Sequence, residues 1–173
     1  MVVLVVALVG CGGSEATTPK RASATVARSC TTSVLAVWIG VGEGGAAAGS
    51  TYYPLELTNI SSHRCRLFGF PGVSAIARRH LGSPAGRNRA HPTYTVTLAA
   101  GATAHTVLQI ADVGNFPAAR CKPAEASTLL VYPPGEFSAA EIPFSFRACS
   151  ARGPAFLSVE PIQTGVGVPG SPG

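Results

Sequence analysis

From Val34 to Ile162 the apolar residues come in short runs broken by Gly, Pro and Asn, and most runs alternate with polar residues. Alternation with a period of two places one face of a strand in a core and the other in water. Tyr53, Leu55 and Leu57 alternate with Pro54, Glu56 and Thr58. Tyr94, Val96 and Leu98 alternate with threonines, and Ile142, Phe144 and Phe146 alternate with Pro143, Ser145 and Arg147. Thr106, Leu108 and Ile110 extend an apolar face opposite His105 and Gln109. Val34 to Val41 is a continuous apolar run holding the single tryptophan, Trp38, and predicts a strand buried on both faces.

Shorter strands are expected at Arg64–Phe68, Val73–Arg78, Leu129–Tyr132 and Phe156–Ile162. Turns are expected at Asn59–Ser62, at Ala99–Ala102 and at Pro133–Gly135. Gly69-Phe70-Pro71-Gly72 suits a type II turn with Gly72 at the position of positive φ. Pro143 predicts an edge position for its strand, because proline cannot donate to a ladder. About nine short strands without a helical period predict an all-β, antiparallel, immunoglobulin-like sandwich. Charged residues make up only 12% of the chain, beside 20 Gly and 14 Pro, a balance that excludes a disordered polyelectrolyte.

Five cysteines stand at positions 11, 30, 65, 121 and 149. Cys11 follows the apolar segment MVVLVVALVG and precedes Gly12-Gly13-Ser14, the pattern of a lipoprotein signal segment with an acylated cysteine. No lysine or arginine precedes that segment, a departure from the usual signal pattern. Residues 1–10 are thus expected as a cleaved signal peptide and Cys11 as a lipid anchor of the palmitate kind. Residues 11–29 are expected as a flexible tether, 30–163 as the sandwich, and 164–173 as a flexible Gly/Pro-rich tail. Removing Cys11 from the count leaves four cysteines, which allow three pairings that sequence alone does not distinguish. Cys30–Cys65 and Cys121–Cys149 are favoured because each pair brackets one contiguous block of strands. Zinc is disfavoured by the lack of CxxC-like spacing.

Several segments resemble the family called domain of unknown function 4232, found in small secreted proteins and lipoproteins of actinobacteria. They are GSTYYPLELTN (49–59), CRLFGFPGV (65–73), VTLAAGATA (96–104), the segment around Cys121, LVYPPG (130–135), Cys149 and Leu157-Ser158-Val159. The resemblance covers residues 30 to 163. It implies an extracytoplasmic β-sandwich with the two disulfides named above, and it implies no activity and no catalytic residues.

No constellation of residues names a reaction. Asp112 is the sole aspartate, no Gly-x-Ser-x-Gly elbow surrounds a serine, and the glutamates at 43, 56, 125, 136, 141 and 160 are scattered. His105 and Asp112, the nearest acid–base pair, are expected as a solvent-facing strand residue and a turn residue. Tyr53 and Trp38 are expected in the core rather than on a sugar-stacking platform. The most functional-looking stretch is Arg78 to Pro92, with Arg78, Arg79, His80, Arg87, Arg89 and His91 and no acidic residue. It reads either as a solvated loop or as a loop that attracts anionic polymers or lipid head groups.

The expected protein is therefore a lipoprotein on the outer face of the cell membrane, with a non-catalytic binding or scaffolding domain and no cofactor or metal. Partners are expected to be the membrane through Cys11 and an anionic envelope polymer or another envelope protein, not nucleic acid, with the chain itself a monomer. A plain secreted protein, and a cell-envelope hydrolase whose site forms no sequence motif, are the alternatives.

Overall fold

The computed structural model describes residues 1–3, 27–41, 45–47 and 49–167. Cys11 and the signal segment lie outside them, apart from residues 1–3, as does Glu43. Among the described residues fourteen strands follow one another: β1 (Arg28–Ser29), β2 (Leu35–Ile39), β3 (Gly45–Ala47), β4 (Ser50–Asn59) and β5 (Cys65–Phe68). Then come β6 (Gly72–Ile76), β7 (His80–Leu81), β8 (Gly86–Arg87), β9 (Thr95–Leu98) and β10 (Thr103–Ala111). β11 (Pro123–Tyr132), β12 (Ala140–Cys149), β13 (Leu157–Val159) and β14 (Gln163–Thr164) complete the set. The one α-helical element among the described residues is a single turn, Ala118–Cys121.

The fold is the expected all-β sandwich, but its second layer is split. The large sheet runs β2-β4-β10-β13-β8, with β3 beside β4 and β14 beside β10. Its spine is the β4–β10 ladder, antiparallel from Thr103↔Thr58 to Ala111↔Ser50. A four-stranded sheet, β12-β11-β6-β7, and a three-stranded sheet, β1-β5-β9, complete the structure. Leu55, Leu108 and Leu157 of the large sheet share one core with Val73, Leu129 and Ile142 of the four-stranded sheet. Leu57 and Ala104 share the other with Leu67, Val96 and Leu98 of the three-stranded sheet. Leu55 and Leu57 lie on one face of β4, so both small sheets cover the same side of the large one.

Each core carries one disulfide. Cys30–Cys65 belongs to the smaller core and Cys121–Cys149 to the larger, the pairing favoured from strand blocks. Asn59, fully buried at the end of β4, ties the three-stranded sheet to the large one. Its Nδ2 donates to the carbonyls of His63 (2.8 Å), Leu98 (3.2 Å) and Ala99 (3.1 Å), while its Oδ1 accepts from the Ser61 amide and hydroxyl. The asparagine expected as a turn residue is thus the hydrogen-bonding centre of the Ala99–Ala102 reversal as well. That reversal sends the chain from β9 into β10, which lie in different sheets.

Several expectations need correction. Trp38 is 45% exposed rather than buried, because β2 is an edge strand and the small sheets cover only one face of the large sheet. Tyr94 falls outside β9 and is equally exposed. Positive φ in the 69–72 turn belongs to Gly69 (φ 93°), not Gly72, which already starts β6. That glycine redirects the chain from the three-stranded to the four-stranded sheet. The tether ends earlier than expected, since Arg28 and Ser29 pair in parallel with Cys65 and Arg66. The tail begins later: Thr164 pairs with Ala104, and Gly165 donates to the Thr103 carbonyl at 3.0 Å.

β11 is longer than the expected Leu129–Tyr132 because its pattern changes phase. Ala124 and Ala126 face inward, a register shift falls between Ala126 and Thr128, and Leu129 and Val131 then face inward. At that shift β12 advances three residues, Phe146 to Pro143, against two of β11, and across this bulge of its partner β11 changes phase, so no single period-two pattern spans the strand. Pro143, opposite that shift on β12, does sit on an edge strand as expected.

The disulfides close separations of 35 and 28 residues. Replacing either pair by serine is expected to lower the unfolding free energy by about 4 kcal/mol on loop entropy alone. Urea unfolding of Cys30→Ser/Cys65→Ser and of Cys121→Ser/Cys149→Ser checks this. A loss near zero for both would mean that the packed cores, not the cross-links, hold the two small sheets.

Candidate functional site

The Arg78–Pro92 segment is folded onto the body at several points and is not a free loop. Arg78 and Arg79 form the exposed tip between β6 and β7, where the Ala77 amide bonds the Arg79 carbonyl at 3.0 Å. Gly82 (φ 62°) then passes so close to the core that a Cβ would lie 2.6 Å from Phe156 Cε1 and 2.7 Å from the Cys149 carbonyl oxygen. Only glycine fits that approach. β8 next pairs in parallel with β13, Gly86 opposite Ser158 and Arg87 opposite Val159.

Glu160 holds the rest of the segment. Its side chain is buried at the end of β13, and its Oε1 accepts from Asn88 Nδ2 at 3.3 Å and lies 3.9 Å from His91 Nε2. Asn88 Oδ1 in turn accepts from the Ala90 amide at 3.1 Å, forming a tight turn. This anchoring fixes the backbone from which Arg87, Arg89 and His91 project.

Those three basic side chains line one cleft of about 550 Å³ with Phe68, Phe70 and Pro134. The Arg87 guanidinium carbon stands 5.8 Å from the centre of the Phe70 ring, a cation–π arrangement that orients the fork. Among the described residues no carboxylate lines the cleft, and Glu160 stands 3.9 Å from His91. Phe68 is 61% exposed and offers an apolar wall. Arginine forks at the mouth of a cleft can take the oxygens of a phosphate or carboxylate in pairs. Of the six expected site residues, the fold brings together Arg87, Arg89 and His91. His80 lines a different cleft with Arg152, and Arg78 and Arg79 line neither.

Phe68, Phe70, Asn88 and Glu160 were not legible as site residues. Phe68 and Phe70 flank Gly69 in a stretch that reads only as strand end and turn, and Glu160 is far from the basic segment in sequence. His105 and Asp112 do not meet. Asp112 caps the 3₁₀ turn Val113–Asn115 by accepting from the Gly114 amide at 2.7 Å, the turn role expected of it. His105 is half-buried rather than solvent-facing, because its Nδ1 donates to the Gly165 carbonyl at 2.9 Å. Tyr53 packs against the larger core, edge-on to Phe144 at 5.1 Å. Among the described residues no group of three His, Cys, Asp or Glu side chains could hold a metal ion.

An ionisable group with a raised carboxyl lies elsewhere, under the C-terminal strap. Glu56 faces away from both cores, between its cross-strand neighbours Trp38 and His105, and is completely buried. The Gly167 amide donates to Oε1 at 2.8 Å, and Oε2 has no protein partner. A Cβ on Gly167 would lie 2.5 Å from Pro54 Cβ and 2.9 Å from His105 Cδ2, so the strap lies flat against the sheet. Burial raises the Glu56 carboxyl above its ordinary value of 4.5, opposed by the Gly167 hydrogen bond and by His105.

The fold and the site define an all-β, doubly disulfide-bonded domain with a cationic cleft between its small sheets and the edge of its large one. The chain belongs to the family described as domain of unknown function (DUF4232), whose model matches residues 30–163. No curated protein and no solved structure matches it.

A raised carboxyl favours the folded state while it is neutral, so its contribution is full below pH 4.5 and is lost as the pH rises through the folded value. Glu56→Gln, neutral throughout and able to keep the Gly167 bond, is expected to be more stable than the parent at pH 7. The advantage should shrink to near zero below pH 4.5. Urea unfolding of both proteins at the two pH values reads the difference, and a gain independent of pH would assign the effect to packing.

Proposed function

We propose that this chain is a lipoprotein, anchored through Cys11 at the outer face of the membrane, whose β-sandwich is a non-catalytic module that binds an anionic envelope ligand. The observation that carries the reading is the convergence of Arg87, Arg89 and His91 on one cleft whose lining has no carboxylate. The guanidiniums of Arg87 and Arg89, fixed by a folded segment, raise the local potential more than the same charges on a mobile loop, because their ordering is already complete before a ligand arrives. Two disulfides favour an oxidising compartment, which suits a domain outside the cytoplasm. The sequence around Cys11 supplies the anchor.

Intact mass spectrometry on protein from the membrane fraction of its host tests the location. The expected species begins at Cys11, carries a diacylglycerol, and is four hydrogens lighter than the reduced chain, two for each disulfide. A species that retains residues 1–10 with free thiols overturns the reading.

Calorimetric titration of the folded domain with inorganic pyrophosphate tests the cleft. Arg87→Ala and Arg89→Ala are each expected to weaken binding by about tenfold, the loss of one charge-assisted pair. Arg78→Ala, at the exposed tip, is expected to leave it within about twofold, since exposed charges far from the ligand are screened. Equal losses for all three would mean diffuse attraction without a site.

A further inference from the structure

The cationic segment supplies a second cleft that the reading above does not use. His80 and Arg152 line it, with Tyr132, Gly72 and the hydroxyl-bearing Ser74, around about 440 Å³. Arg152 comes from the turn after β12, so two distant segments bring their charges to one place. No carboxylate is among these lining residues either.

The two clefts adjoin along the same pair of chain segments. Phe70, Pro134 and Gly135 line the first, and Gly72 and Tyr132, which are register partners between β6 and β11, line the second. One residue separates the clefts on each segment, Pro71 on one and Pro133 on the other, a spacing of about 7 Å along extended chain. Glu136 is directed towards the Thr32 amide at 3.4 Å, while Glu160 accepts from Asn88 and stands 3.9 Å from His91, so the arginines carry the positive potential of the first cleft. Between the two sets of lining residues stand Pro71 and Pro133, neither of which carries a charge.

We propose that the two clefts form one groove for an extended polyanion with phosphate groups repeated along its backbone, one basic cluster at Arg87, Arg89 and His91 and the next at His80 and Arg152. The inference rests on the anion-binding reading of the first cleft and adds the ligand's form. A single small anion fills one cleft. Successive phosphates on one chain fill both, and the second engagement is then intramolecular and strengthens the first without new contacts there. Arginine suits such a backbone, because its planar fork meets phosphate oxygens in pairs.

The probes are inorganic pyrophosphate, long-chain inorganic polyphosphate, and vesicles of phosphatidylglycerol, each titrated against the folded domain at two salt concentrations. Polyphosphate is expected to bind at least about tenfold more tightly per phosphate than pyrophosphate. Arg152→Ala, at an exposed position, is expected to remove that advantage and to leave pyrophosphate binding unchanged, while Arg87→Ala weakens both. Unchanged thermal unfolding of each variant confirms that the fold is intact. If Arg152→Ala has no effect while Arg87→Ala still weakens pyrophosphate, the groove is wrong and the single-cleft reading stands. If neither phosphate probe binds, both readings fall. Binding to vesicles tighter than to polyphosphate, and sensitive to Arg152→Ala, would overturn the polymer in favour of a membrane surface.

Discussion

The β4–β10 ladder is the constraint on which the rest of the molecule depends. Nine register pairs run from Thr103↔Thr58 to Ala111↔Ser50, and every other strand of the large sheet is aligned by this spine. One face of the spine must leave water, and it does so against two separate sheets. Leu55 and Leu108 meet the four-stranded sheet, and Leu57 and Ala104 meet the three-stranded one. Splitting the cover into two pieces divides the core, and each piece is small. A small core contributes less apolar burial per ordered residue. Each therefore has its own covalent tie, Cys30–Cys65 or Cys121–Cys149, and the smaller is also clamped by Asn59.

Two buried carboxylates do for the irregular segments what the disulfides do for the sheets. Glu56 receives the Gly167 amide and holds the C-terminal strap on the outer face. Glu160 receives Asn88 and faces His91, and holds the cationic segment. Both keep an Oε2 without a protein partner, an expensive arrangement in a protein interior. That cost is tolerable where a carboxylate organises a segment lacking ladder bonds of its own. At Glu160 the consequence reaches the surface, since the same contact fixes the backbone that presents Arg89 and His91 to their cleft.

Much of the fold was legible in the residues, and the exceptions share a cause. Strands with an unbroken period of two, such as Ile142-Phe144-Phe146, lie where the alternation puts them, and Pro143 marked an edge. β11 was only half legible, because its inside–outside phase inverts near Ser127, opposite a bulge in β12 between Phe146 and Pro143. Trp38 misled for a different reason: an apolar run on an edge strand looks the same as one buried on both faces. The site was legible as a charge run and nothing more. Its aromatic walls, its anchoring carboxylate and Arg152 stand far from it along the chain.

By itself the sequence determined the local terms: period-two strands, the turns at Asn59 and Ala99–Ala102, the lack of any helical period, and an even set of cysteines in the domain. These follow from backbone sterics and side-chain polarity, which act over a few residues. Tertiary structure alone decided which side of the large sheet is covered, and hence that Trp38 is exposed, and it laid the C-terminal strap over Glu56 on that open side. It also decided that the basic residues of one short segment divide between two clefts. Both outcomes depend on pairings between distant strands, β8 with β13 and β6 with β11, and a long-range register leaves no mark in the residues on either side of it.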